Sequence, residues 1–147
     1  MQVGETIWVR SHQILRLERD LLVFVIVGEV QESDVDGILQ WERQLRDEVG
    51  YTLVLVDANR MGVMPAEVRK RAAAALQADQ TYCGALAIWG APFLVRTLIN
   101  LLLRATALLT RQPAQPTEYF AHRADAIAWL HTQRGPLQKQ GATIHSV

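Results

Sequence analysis

The chain opens with two short, mainly apolar stretches, residues 6–10 and 13–17, separated by Ser11 and His12. The pair therefore predicts a hairpin with Ser11 and His12 at its turn. Residues 21–30 follow as an unbroken apolar run rich in valine and isoleucine, the pattern of a strand covered on both faces. Gly28 near its end marks a bulge or a close approach of backbone. From Ser33 the period becomes helical. Val35, Ile38, Trp41, Leu45 and Val49 recur at spacings of three and four and share one face. Ser33 is placed to cap this helix, with Asp34 and Asp36 at the positive end of its dipole, and Gly50 ends it.

Residues 51–56 form a second buried strand, leading into a loop of Asp57, Ala58, Asn59, Arg60, Met61 and Gly62. Pro65 suits the first turn of a helix. Its buried face is Val68, Ala72, Ala75 and Leu76, and Arg69, Lys70 and Arg71 point to water. Residues 84–89 are a third apolar strand, and Gly90, Ala91 and Pro92 turn the chain into a helix over 92–110. A loop around Pro113 and Pro116 leads to a last strand, 117–120, and a last helix, 123–133, with Ala126, Ile127, Trp129 and Leu130 for burial. Past Gly135 and Pro136 the sequence turns polar. This predicts a single domain over 1–134 and a mobile tail over 135–147. A hairpin followed by alternating strands and helices predicts an α/β fold: a mixed, mostly parallel sheet of five or six strands with four helices.

Three stretches carry a family resemblance. Leu53 to Asp57 is an apolar strand ending in aspartate before a loop and helix. Leu86 to Gly90 is a strand followed by a helix with scattered arginines. Glu118, Tyr119 and Phe120 lead through Ala126 to Trp129 and Leu130. Over roughly residues 14–134 this order resembles the SpoIIAA-like branch of the STAS superfamily, whose fold is related to the CRAL-TRIO lipid-transfer domains. The resemblance implies a non-catalytic regulatory or ligand-binding module. In phosphorylatable members a serine stands near the start of the helix after the aspartate-ended strand. Here that region is Met61, Gly62, Val63, Met64, Pro65 and Ala66, without serine or threonine, so no phosphorylation switch is expected there. Some members of the branch approach membranes or bind apolar ligands through a mobile helix, an idea that suits this sequence better.

Composition narrows the function further. Half of the 147 residues are hydrophobic and a fifth are charged, the balance of a folded domain. Fifteen basic and fifteen acidic side chains cancel, which gives nucleic acid no electrostatic footprint. Cys83 is the single cysteine, so no intrachain disulfide forms. The N-terminus lacks the basic and apolar regions of a secretory signal, and a cytoplasmic location is expected. No nucleophile elbow is present, and no Gly-rich phosphate loop follows a strand. His12, His122, His131 and His145 lack the spacing of metal ligands and read as surface residues, and Cys83 reads as an inert buried thiol. No enzyme activity, cofactor or metal is predicted. Asp57, Asn59 and Arg60 leave the carboxyl end of a central strand, where open α/β sheets place ligands. Turn hydrogen bonding explains the aspartate and asparagine equally well.

The helix over 92–110 is the least ordinary feature. Arg96, Asn100 and Arg104 fall four apart and form one narrow polar ridge. These charges exclude a membrane span, though not contact with a membrane surface. Phe93, Leu94, Val95, Leu98, Ile99, Leu101, Leu102, Leu103, Leu108 and Leu109 fill nearly all the remaining arc. One sheet face cannot cover that width. Trp129 and Leu130 of the last helix are the intramolecular candidates to cover the surplus. The rest predicts an interaction surface at Phe93, Leu94, Arg96, Leu98, Leu101, Leu102 and Arg104. Its occupant is a protein partner or a second copy of the chain. The alternative is an apolar small molecule or a lipid surface, with the helix as lid or anchor and Arg96 and Arg104 at lipid headgroups.

Overall fold

A computed structural model of the chain describes residues 1–77, 83–110 and 115–145. The side-chain burial expected of Leu76, Leu108 and Leu109, and the loop at 112–114, lie outside the described residues. The described elements run β1 (Thr6–Val9), β2 (His12–Glu18), β3 (Leu21–Gly28), α1 (Glu32–Val49), β4 (Thr52–Met61), α2 (Ala66–Gln77), β5 (Gly84–Trp89), α3 (Phe93–Thr110), β6 (Thr117–Phe120) and α4 (Arg123–His145). The strands form one six-stranded sheet in sequence order, β1 to β6. β1, β2 and β3 pair antiparallel; β3, β4, β5 and β6 pair parallel. The expected α/β architecture is therefore present, with six strands and four helices.

Strand order fixes where the helices go. Each parallel connection steps to the next strand in the same direction, and such crossovers have one hand. α1, α2 and α3 therefore share one face of the sheet, and α4 covers the other. The two cores reflect this. Leu22, Phe24, Ile26 and Val54 pack with Val35, Ile38 and Leu45 of α1 and with Val68 and Ala72 of α2. Leu21, Val23, Leu53, Leu55, Ala85 and Ala87 pack with Ala126, Leu130 and Leu137 of α4. Alternate residues of β3 thus feed opposite cores, which is why that strand reads as continuously apolar. The expectation that Trp129 and Leu130 meet the 92–110 helix is corrected: they sit across the sheet from α3.

Several local expectations change. α1 begins two residues earlier than a cap at Ser33 allows. Its N-cap is Gln31, whose backbone N–H donates to the Asp34 carboxylate at 2.8 Å. A carboxylate accepts this bond more strongly than a hydroxyl, and it faces the positive helix end. The hairpin turn falls at Arg10 and Ser11, and His12 is the first, fully buried residue of β2. It is therefore not a surface histidine. β4 continues through Asp57, Asn59 and Arg60 to Met61, where a loop was expected, because it keeps pairing with β3. The register slips by one residue between Val25 and Val27, so β4 carries an extra residue there. A one-residue bulge reverses which face later side chains meet. Met61, odd-numbered like Leu53 and Leu55, thereby turns onto the α1–α3 face. Gly28 ends β3 at φ 74°, and its carbonyl accepts from the Gly62 N–H at 2.8 Å. A Cβ on Gly62 would lie 2.8 Å from the Gly28 carbonyl carbon, so the close approach needs glycine there.

α4 runs past the expected end of the last helix at Gln133. The helix passes Gln133, Gly135 and Pro136 and runs to His145. Pro136 removes one helical N–H, but burial outweighs that loss. Leu137 is buried in the second core, and Gly141 lies close enough to Gly50 that a Cβ would come within 2.7 Å of the Gly50 carbonyl oxygen.

Candidate functional site

α3 starts after Pro92, whose carbonyl accepts from the Arg96 N–H at 2.9 Å. Val95 and Ile99 are buried against Ala58 of β4 and Ile88 of β5. Leu98, Leu102 and Leu103 are half-buried. Phe93 stays 85% exposed, Leu94 69% and Leu101 51%. Leu94 and Leu101 are seven residues apart and share a face. Of the predicted surface, Phe93, Leu94 and Leu101 are therefore open, while Leu98 and Leu102 turn partly inward.

The polar ridge is split. Arg96 lies over the Tyr119 ring of β6, with its guanidinium carbon 4.8 Å from the centroid. The Tyr119 hydroxyl donates to Asn100 Oδ1 at 2.7 Å. Burial pushes the Tyr119 phenol up, and the nearby Arg96 charge partly opposes it. Arg104 is exposed.

Beneath α3 is an apolar chamber of about 190 Å³. Leu102 and Leu103 form part of its roof and Ala72 of α2 part of one side. Phe24, Val54 and Leu86 line its floor, and Met61 and Met64 also face it. Among the described residues two polar side chains reach it, Glu42 and Gln115. Glu42 is buried; its carboxylate accepts from the Thr52 hydroxyl at 2.7 Å and lies 3.7 Å from Arg46 Nη2. The Gln115 amide oxygen is buried without a hydrogen-bond partner.

The strand-end trio forms a local arrangement. Asp57 Oδ1 accepts from the Asn59 backbone N–H at 3.1 Å and from its side-chain amide at 2.8 Å. Asn59 fills the space beside Gly90 (φ 75°), where a Cβ would lie 2.2 Å from Asn59 Oδ1. Arg60 is exposed and takes no part in these bonds.

Two polar clusters, each built on a buried aspartate, hold elements together. In the first, Arg10, with φ 56°, donates to Asp34 through Nη2 at 2.7 Å and Nε at 3.1 Å. His12 Nδ1 accepts from the Val27 N–H at 3.0 Å, so the ring proton sits on Nε2, 3.1 Å from Asp34 Oδ2. Both ring nitrogens are thereby used, and none is free to act as a base. Burial raises the Asp34 carboxyl, but bonds from Arg10, Gln31 and His12 outweigh it and hold it below the usual carboxylate range. In the second cluster Arg134 of α4 donates to Asp20 at 2.6 Å and to Glu18 at 3.1 Å, and the Tyr51 hydroxyl donates to Asp20 at 2.5 Å. His131 Nε2 lies 2.7 Å from Glu18. Burial raises the Asp20 carboxyl, and Arg134 and Tyr51 more than reverse this. Among the described residues no group of three His, Cys, Asp or Glu is arranged to hold a metal ion, and no helix is long and apolar enough to cross a membrane.

No family model and no curated protein sequence matches the chain. Its structure is similar to that of the anti-sigma factor antagonist SpoIIAA in its unphosphorylated form. The TM-score is 0.54 at 13% identity, over 82% of this chain and 98% of that one. The fold is that of SpoIIAA, a STAS fold. Within this SpoIIAA fold the loop from β4 to α2 carries Val63, Met64 and Pro65, and the distinctive surface lies on α3.

The alternation rule found α3 and its excess of apolar residues. It missed the chamber, because a void arises from the spacing of several elements. Met61 at the end of β4 and Met64 in the loop after it, both flexible apolar side chains, were the available sequence signal.

Proposed function

We propose that the chain is a non-enzymatic, cytoplasmic interaction module of regulatory type that docks a protein partner, or a second copy of itself, through the outer face of α3. The exposure of Phe93, Leu94 and Leu101 on one described helix carries this reading. Large apolar groups gathered on one surface mark interaction sites, whereas single exposed ones do not. SpoIIAA is an anti-sigma factor antagonist, and the shared fold supports a regulatory role. The test is the solution mass of wild type and of Leu94→Glu/Leu101→Glu by light scattering over a concentration series, alone and with anionic vesicles. A wild-type mass that rises with concentration, beside a folded monomeric variant, supports self-docking. Equal behaviour of the two proteins in every condition removes self-docking and vesicle contact through the α3 face.

The chamber favours a second reading, in which α3 covers an apolar ligand and Arg104, with Arg96, meets lipid headgroups. Monomers of both proteins, with only wild type sedimenting with anionic vesicles and releasing in salt, would put this reading first.

A further inference from the structure

We propose that the carboxyl end of the sheet, on the face that α4 covers, binds an aminoalkyl phosphate. Its ammonium is held by Asp57 beside Trp89, and its phosphate by Arg60. This site lies across the sheet from α3 and is independent of both readings above.

Strand pairing aligns one residue from each strand in a single row: Trp8, Gln13, Val25, Asp57, Trp89 and Phe120. Val25, Trp89 and Phe120 pack against the second core, and neighbours in a row share a face. The row therefore belongs to the α4 face. Two residues back along the strands, Val23, Leu55 and Ala87 are buried, whereas no member of this row is. α4 explains the difference. It starts at Arg123, and its first buried residue, Ala126, joins the cluster of Ala85 and Ala87. Its cover stops short of the row.

Asp57 is held ready for a donor. Its Oδ1 accepts from both the N–H and the side-chain amide of Asn59, which orients the carboxylate. Among the described residues its Oδ2 has no hydrogen-bond partner. Trp89 stands next to it in register, one strand spacing of about 4.8 Å away. A carboxylate beside an indole suits an ammonium: the N–H groups bond the anion, and the positive charge with its attached methylene rests on the ring. The phosphate half is set by Arg60. The bulge in β4 puts Arg60 opposite Val27, two residues beyond Val25 and on the same face as Asp57. Two residue rises separate the two positions by about 6.6 Å. Arg60 is exposed, and among the described residues it forms no ion pair with Asp57 or any other group. A guanidinium takes phosphate oxygens in pairs. An α-amino acid carries both charges on one carbon, too close together to meet Asp57 and Arg60 at once. Two carbons between ammonium and phosphate supply the reach, and the ligand then neutralises both side chains.

The chain has four tryptophans, and their ¹⁵N-labelled indole N–H groups report binding. Trp41 packs on the opposite face and is the internal control. The protein is titrated with O-phosphoethanolamine, with ethanolamine and with ethyl phosphate. The expected result is a saturable shift at Trp89 and none at Trp41. Phosphoethanolamine should bind at least about tenfold tighter than either fragment, since each fragment lacks one set of charged hydrogen bonds. Arg60→Gln should reduce its affinity to that of ethanolamine, and Asp57→Asn to that of ethyl phosphate, with the circular dichroism spectrum retained in both. The same chemistry occurs free and as a lipid headgroup. Sedimentation with vesicles of phosphatidylethanolamine and phosphatidylcholine, but not of phosphatidylcholine alone, and lost in Arg60→Gln, assigns the headgroup. The titration result without sedimentation assigns the free compound. No saturable shift at Trp89, equal affinity for a fragment, or a preference that both variants retain overturns the proposal.

Discussion

At the scale of single residues, buried polar groups decide how the layers are tied. Asp34 closes the N-terminus of α1 and binds Arg10 and His12 of the hairpin at once. Asp20 likewise binds Arg134 of α4 and Tyr51, the residue before β4, at once. The sequence displayed these residues but gave no sign of their partners, which lie 22 to 114 positions away. The Asp20 carboxyl is held below its ordinary value, so the unfolded chain takes up the proton first as pH falls. Its contribution to stability is complete above about pH 4 and is lost as pH drops through the lower folded value. Arg134→Met should cost about 1.5–3 kcal/mol at neutral pH, the range for hydrogen bonds to charged groups. It should also flatten the loss of stability below pH 4. Urea unfolding of both proteins at pH 7 and pH 3 measures this. An equal difference at the two pH values would contradict the role given to Asp20.

At the scale of elements, α3 shows how far periodicity reaches. The spacing of Arg96, Asn100 and Arg104 was legible, and so was the surplus of leucines around them. Which leucines face inward was not, since that depends on the rotation of the helix over β4, β5 and β6. In the structure Val95 and Ile99 define the inner line, and Phe93, Leu94 and Leu101 the outer one. Ile99→Ala should therefore destabilise the fold by about 2–5 kcal/mol, as core truncations do. Leu101→Ala should stay within about 0.5 kcal/mol of wild type, as surface changes do. Thermal and urea unfolding of the two single variants distinguish the faces; a large cost at Leu101 would mean that it is covered in solution. α4 teaches the opposite lesson. Its last turns are polar by composition and carry Gly135 and Pro136, both poor for helices. Burial of Leu137 extends the helix regardless.

At the scale of the whole molecule, one described helix covers one face of the sheet and three cover the other. The second core therefore depends on α4 for its cover. A chain ended after Gln133 loses Arg134 and Leu137 together, and should be less stable by about 4 kcal/mol or more, summing a core leucine and a charged hydrogen-bond pair. Its urea midpoint, compared with that of the full chain, tests whether the last turns are part of the domain. On the opposite face the sheet meets three helices whose described side chains leave space between them, and the chamber lies there. No single helix carries that information.

The sequence by itself determined the order of strands and helices, and with it the α/β class and the mixed, mostly parallel sheet. These are local properties, written in spacings of two, three and four residues and in short connections of fixed hand. It also determined that the helix after β5 has more apolar surface than one sheet face can bury. Tertiary structure decided where that surplus goes, how far β4 and α4 extend, and which charges pair. It also decided that a bulge turns Met61 into a chamber under α3. Those outcomes depend on distances between segments remote in the chain, which no local pattern encodes.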